Sequence, residues 1–82
     1  MLSELQTAQK VVGVKQSRKA IRDGLAARAF VAKDAEARVI RPIRALCEER
    51  SVPVEEIETM QELGKAAQID IGAAVVTVLK SH

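Results

Sequence analysis

The sequence predicts an α/β protein: a three-layer α/β/α sandwich around a mixed four-stranded sheet. Three observations predict it. Short apolar runs recur at Val11-Val12, at 29–32, at 52–57 and at 73–79, and each reads as a strand buried in a sheet. Segments with helical spacing lie between them, and two of these open on capping-box patterns, Ser3-Glu4-Leu5-Gln6 and Thr59-Met60-Gln61-Glu62. The resulting order, α-β-α-β-α-β-α-β, is the pattern of helices layered on both faces of one sheet.

Each element has a local reason. The first helix is expected from Ser3 to about Gln9, with Leu2, Leu5 and Ala8 on one face. Val11-Val12 is a brief strand entering Gly13. A second helix is expected over 16–22, with Ala20 and Ile21 inward and Gly24 just past its end, where a C′ glycine belongs. Ala29-Phe30-Val31-Ala32 is the central strand. Val39, Ile40, Ile43, Leu46 and Cys47 have helical spacing, but Pro42 lies among them. Proline suits a first turn and not an interior. A short turn over 36–40, a bend, and a main helix over 42–50 are therefore expected. Strand 52–57 follows, with Pro53 at its start, and together with strand 29–32 and the helix between them it forms a right-handed parallel crossover. A helix from Thr59 to about Ala67 contains Gly64, which costs about 1 kcal/mol relative to alanine and implies close packing or a close backbone approach. A loop over 68–72 leads into the last strand.

Eighty-two residues form a single domain, 1–82, near the lower limit for one core. No apolar run reaches the ~20 residues of a membrane span, and the N-terminus lacks the regions of a signal peptide. A lone cysteine, Cys47, makes no intrachain disulfide, and on an apolar helix face it reads as a core thiol. A cytoplasmic protein is expected. The only histidine is His82, at the terminus, and there is no metal-ligand cluster and no P-loop. These absences argue against an enzyme, a metal, a cofactor or a small-molecule substrate.

Charge is unevenly spread, which fits an anionic partner and, equally, a solvated surface with chance clustering. Residues 1–47 carry ten Lys and Arg against four Asp and Glu, whereas 48–82 carry three against seven. A basic half suits an anion. The chain has one Phe, no Tyr and no Trp, so it cannot stack single-stranded bases on aromatic platforms. A nucleic-acid contact would have to use backbone charge and grooves of a folded molecule.

The most informative stretch is Gly13-Val14-Lys15-Gln16-Ser17-Arg18-Lys19. A glycine between strand and helix exposes backbone N–H groups, and the macrodipole adds partial positive charge there. Acidic residues would stabilise such an end, yet it carries Lys15, Arg18 and Lys19, with Arg22 beyond. Like charges at 15/19 and 18/22 add repulsion. A bound polyanion would resolve this conflict between folding and charge; the alternative is that these are only solvated surface charges.

Four blocks resemble a known family: residues 13–19; Val31-Ala32-Lys33-Asp34-Ala35-Glu36; Leu46-Cys47-Glu48-Glu49; and Leu63-Gly64-Lys65-Ala66-Ala67 continuing through Ile71-Gly72-Ala73-Ala74. Their order and spacing are similar to the kink-turn RNA-binding family of ribosomal L-seven-Ae and L-thirty-e type, especially its small bacterial branch. The resemblance implies that fold and a clamp on a bent duplex with a three-nucleotide bulge and tandem sheared G·A pairs. Its first block reads Gly-x-Asn-Glu-x-x-Lys in archaeal and eukaryotic members. Lys15 and Gln16 stand at the Asn and Glu positions and Lys19 matches the Lys.

The resemblance also implies roles. On the binding hypothesis that follows, Lys15, Gln16 and Lys19 would enter the groove at the kink, Gly13, next to Val14, would allow close approach, and Arg18, Arg22, Lys10 and Lys33 would neutralise phosphates. The loop Ile69-Asp70-Ile71-Gly72 packs apolar side chains on bulge nucleotides, and Glu36 sits at an acidic position near a flipped nucleotide. From the residues alone, at least one of Ile69 and Ile71 is exposed, or both fold into the core. Glu36 equally suits the first turn of a helix. The expected partner is structured RNA, a ribosomal RNA or riboswitch, bound by a monomer without membrane. The competing reading is a protein-interaction module of the same fold.

Overall fold

The structure, a computed structural model, describes residues 9–80. The elements are β1 (Lys10–Val12), α1 (Val14–Arg22), β2 (Ala26–Ala32), α2 (Ala37–Glu49), β3 (Val54–Ile57), α3 (Met60–Ala66) and β4 (Val75–Leu79). The predicted helix at 3–9 falls almost wholly outside the described residues. The sheet runs β1-β4-β2-β3. β4 pairs antiparallel with both β1 and β2, and β2 pairs parallel with β3. The expected mixed four-stranded sheet and the parallel β2–α2–β3 unit are therefore present.

The two-residue alternation of the strands sorts side chains into two cores. Ala29, Val31 and Val75 join Ile21 of α1 and Ile40, Ile43 and Cys47 of α2 on one face. Phe30, Ala32, Val76 and Val78 join Leu63 and Ala67 of the α3 segment on the other. These are the three layers.

Several boundaries differ from expectation for identifiable reasons. α1 begins at Val14, because Gly13 itself is its N-cap. β2 begins at Ala26, not Ala29, because pairing with Leu79 and Val78 recruits residues of low strand propensity. α2 is one helix across Pro42 instead of a turn, a bend and a second helix. The proline removes the N–H that would reach the Arg38 carbonyl, but Pro42 and Arg38 are both exposed, so water can serve that carbonyl.

All three helices end alike. Leu25, Val52 and Ile69 donate N–H bonds back to Ala20, Cys47 and Gly64, while Gly24, Ser51 and Gln68 donate to Ile21, Glu48 and Lys65. This is the Schellman pattern, which requires a left-handed residue at C′. Gly24 fills it as expected, with φ 76°. Ser51 and Gln68 fill it at φ 59° and 64°, where a side chain is strained.

Two hydroxyls are buried without a partner, Ser17 Oγ and Thr77 Oγ1. Thr77 shares the sheet face of Val75, and Ser17 lies on the buried side of α1 with Ala20 and Ile21. Such groups forfeit hydration without gaining a bond.

Ser51→Gly and Gln68→Gly should each stabilise the fold by roughly 0.5–1 kcal/mol, raising Tm by about 2–8 °C. Gly24→Ala should cost about 1 kcal/mol from backbone strain alone, since its Cβ meets no atom beyond its chain neighbours within 4 Å. Thr77→Val, which removes an unpaired hydroxyl at nearly constant volume, should stabilise by about 1 kcal/mol. Thermal and urea melts followed by circular dichroism check all four, and unchanged or lowered midpoints for the two glycine variants contradict the helix-end assignment.

Candidate functional site

Strand direction decides where function can gather. Because β4 opposes β1 and β2, and β3 follows β2, strands β1, β2 and β3 all run the same way. Each is followed by a helix, so α1, α2 and α3 all start at one end of the sheet. The positive ends of three helices converge there. The loop before β4 returns to that same end.

The first part of this end is α1. Gly13 has φ 104° and ψ 160°, a conformation that favours glycine, and no atom beyond its chain neighbours lies within 4 Å of the place a Cβ would occupy. Backbone conformation therefore accounts for the glycine. Its N–H donates to the Val75 carbonyl at 2.9 Å, tying α1 to the start of β4. No side chain caps the helix and no acid lies in its first turn. The N–H groups of Val14, Lys15 and Gln16 lack intrahelical acceptors.

Burying Ser17, Ala20 and Ile21 turns Lys15, Gln16, Arg18, Lys19 and Arg22 outward. These five line one shallow depression. Val14 is half-buried against the α1–α2 core. Arg22, at the far end of the helix, lies 3.6 Å from Asp23, while basic residues at that end complement the dipole. Lys19 shares that last turn, so Lys15, Gln16 and Arg18 are the residues whose placement folding does not explain.

The second part is the loop between α3 and β4. Ile69 is the C″ residue of the α3 terminus and packs on the core beside Leu63. Ile71 is 75% exposed. Of the two isoleucines, the helix end draws one inward and leaves the other in solvent. Asp70 and Gly72 are exposed with it, and Gln61 and Lys65 of α3 share a depression with 69–72. Those two α3 residues escaped sequence reasoning, although their i, i+4 spacing places them on one helix face.

The loop is held closely. A Cβ on Gly64 would collide with the Ile71 carbonyl oxygen and stand 3.1 Å from the Gly72 Cα. The close approach expected at Gly64 is therefore to this loop. Ala73 N–H donates to the Met60 carbonyl at 3.0 Å. Thr59 Oγ1 accepts from Glu62 N–H at 3.0 Å, as the capping pattern anticipates, and Asp34 Oδ1 accepts from Met60 N–H at 2.8 Å. Asp34 thus pins the β2–α2 loop to the start of α3, a positioning role the sequence did not suggest.

The third part is that β2–α2 loop. Lys33 Nζ lies 3.3 Å from Glu58 Oε1. Glu36 is the N-cap of α2 by backbone, yet its side chain makes no cap bond and instead pairs with Arg38 at 3.0 Å. Both side chains are exposed, and exposed pairs exchange at little cost. Lys10 is half-buried at the opposite end of β1.

Cys47 is fully buried, and burial pushes its thiol up, with Arg44 acting in the opposite direction. It belongs to the core. No helix among the described residues is long and apolar enough to cross a membrane.

Comparison with known proteins gives the family. Over 76 residues the chain is 41% identical to an RNA-binding protein of Geobacillus kaustophilus, covering 93% of each chain. Over 66 residues it is 44% identical to an RNA-binding protein of Caldanaerobacter subterraneus, covering 80% of each. Its fold matches the Giardia lamblia 15.5kD RNA binding protein with TM-score 0.89 at 22% identity, over 98% of this chain and 71% of that one. A model of the Ribosomal protein L7Ae/L30e/S12e/Gadd45 family matches residues 2–82, and the chain belongs to that family.

Proposed function

We propose that the protein binds structured RNA through this end of the sheet and recognises the kink-turn: a bulge followed by tandem sheared G·A pairs. One observation carries the reading. Lys15, Gln16, Arg18 and Lys19 share one exposed depression on a short helix whose start is uncapped and has no acid in its first turn, in a chain whose relatives are named RNA-binding proteins. A polyanion supplies the charge that this end lacks.

The division of labour follows from position. Lys15 can donate to guanine O6 or N7, and the Gln16 carbonyl can accept from a base amino group without repelling phosphate. Lys19 stands one turn on. Arg18, Arg22 and Lys33 meet phosphates that the bend draws together, which adds affinity without reading sequence. Ile71 supplies an apolar surface for an unstacked bulge nucleotide, with Asp70 and Gly72 beside it, and Glu36 borders the same side. Residues 1–82 act as one domain, a monomer in the cytoplasm, on an RNA such as a ribosomal RNA or riboswitch. The RNA is selected from its own ensemble by preferential binding of the kinked form.

Lys15→Ala or Gln16→Ala should cost roughly 1–3 kcal/mol on a kink-turn duplex and much less on the same duplex with Watson–Crick pairs replacing G·A. Arg22→Ala should weaken both duplexes alike and reduce the slope of log K against log salt by about 1. Gel-shift or anisotropy titrations on labelled RNA check this, and equal, non-selective losses at Gln16 and Arg22 contradict it. The two isoleucines should separate. Ile71→Ala should lower affinity for bulged RNA with stability unchanged within about 0.5 kcal/mol. Ile69→Ala should destabilise the fold by about 1–2 kcal/mol. Paired titrations and melts distinguish them, and full affinity in Ile71→Ala removes the loop from the RNA-binding surface.

A further inference from the structure

Charge along α2 runs against the helix dipole. Arg38, Arg41 and Arg44 precede Glu48 and Glu49 along it, with no acid in the first turn and no base in the last, while the N-cap Glu36 and the C-cap Arg50 carry the opposite signs. The macrodipole favours the reverse within the helix; Arg38 and Arg44 are paired with Glu36 and Glu56, and Arg41 is left over. Arg41 and Arg44 lie on the flank of α2 that faces β3. With Lys33 they rim a groove of about 360 Å³, floored by Ala32, Ala35 and Ile40.

Glu56, the one acid among the lining residues, is already held by Arg44 at 3.2 Å. Arg41 has no ion-pair or hydrogen-bond partner among the described residues. The groove opens at the end of the sheet where the three helices start, and Lys33 is common to it and to the candidate site.

We propose that this groove is a second RNA-binding surface, which takes the sugar–phosphate backbone of a strand leaving the α1 site. The proposal rests on the RNA-binding reading above. A cationic rim over an apolar floor matches phosphates above the face of a sugar. The exposed Arg44–Glu56 and Lys33–Glu58 pairs give way to phosphate at little cost. Glu48 and Glu49, one turn beyond Arg44, repel a polyanion and mark where the strand departs.

The test uses Arg41→Gln, Arg44→Gln, the double variant and Arg50→Gln, a control at the far end of α2. Each is titrated against a kink-turn duplex with extended arms over a range of KCl, with melts to verify folding. The double variant should bind roughly 3–10-fold more weakly at moderate salt, and its log K against log salt should be shallower by about 0.7–0.9 for each phosphate that is no longer neutralised. Preference for the kink-turn over its Watson–Crick control should be unchanged, because the sugar–phosphate backbone carries no base information, and Arg50→Gln should match wild type. Wild-type affinity and slope in the double variant, or an equal loss in Arg50→Gln, would overturn the groove while leaving the α1 site standing. Absence of wild-type binding to either duplex overturns the RNA reading, and the groove with it.

Discussion

The fold depends on one strand running against its neighbours. β4 lies between β1 and β2 and is antiparallel to both. That constraint makes β1, β2 and β3 co-directional and sends the start of every helix after them to one end. β4 can occupy the centre because Val75, Val76 and Val78 are buried on alternating faces, so each helix layer has an apolar surface to pack on. Gly13 is tied to β4 through Val75 and Ala32 through Ala74. The same strand that completes the core therefore sets the spacing between the basic helix and the two loops.

The exposed loop is rigidly seated by packing that has no RNA in it. Gly64 brings the α3 backbone against Ile71 and Gly72, the helix end turns Ile69 inward, and Met60 exchanges bonds with Asp34 and Ala73. Ile71 is outside because Ile69 is inside. An apolar side chain presented on such a support costs a partner less ordering than one on a loose loop. The electrostatics are arranged differently: Lys15 and Arg18 on α1 and Arg41 on α2 have no partner among the described residues, whereas the acids of β3 pair with Arg28, Arg44 and, just beyond the strand, Lys33.

Much of this was legible in the residues. Apolar runs located all four strands, Gly24 marked a helix end, and the Thr59 pattern marked a helix start. The Gly13–Lys19 stretch drew attention through a charge conflict that needs no structure to see. What escaped reading was tertiary in origin. Ala26-Ala27-Arg28 has no strand propensity of its own and is strand only because β4 is beside it. Pro42 reads as a break, and the helix passes through it because that turn faces solvent. Ser51 and Gln68 in left-handed backbone carry no sequence signal, since glycine is the usual occupant. Periodicity could not choose between Ile69 and Ile71, and the helix-end geometry decided it. The α2–β3 groove joins residues from three segments, and no local pattern announces it.

The central claim is that this end of the sheet selects a bent RNA, and one measurement addresses it most directly. Donor and acceptor dyes on the two arms of a short RNA duplex report its bend as protein is added, since the chain has no Trp or Tyr of its own. The comparison is a duplex carrying a kink-turn against one with its G·A pairs made Watson–Crick, at matched salt. The account predicts a saturable rise in energy transfer for the kink-turn alone. Equal binding to both duplexes without bending would reduce the site to non-specific electrostatics, and no binding to either would contradict the account altogether.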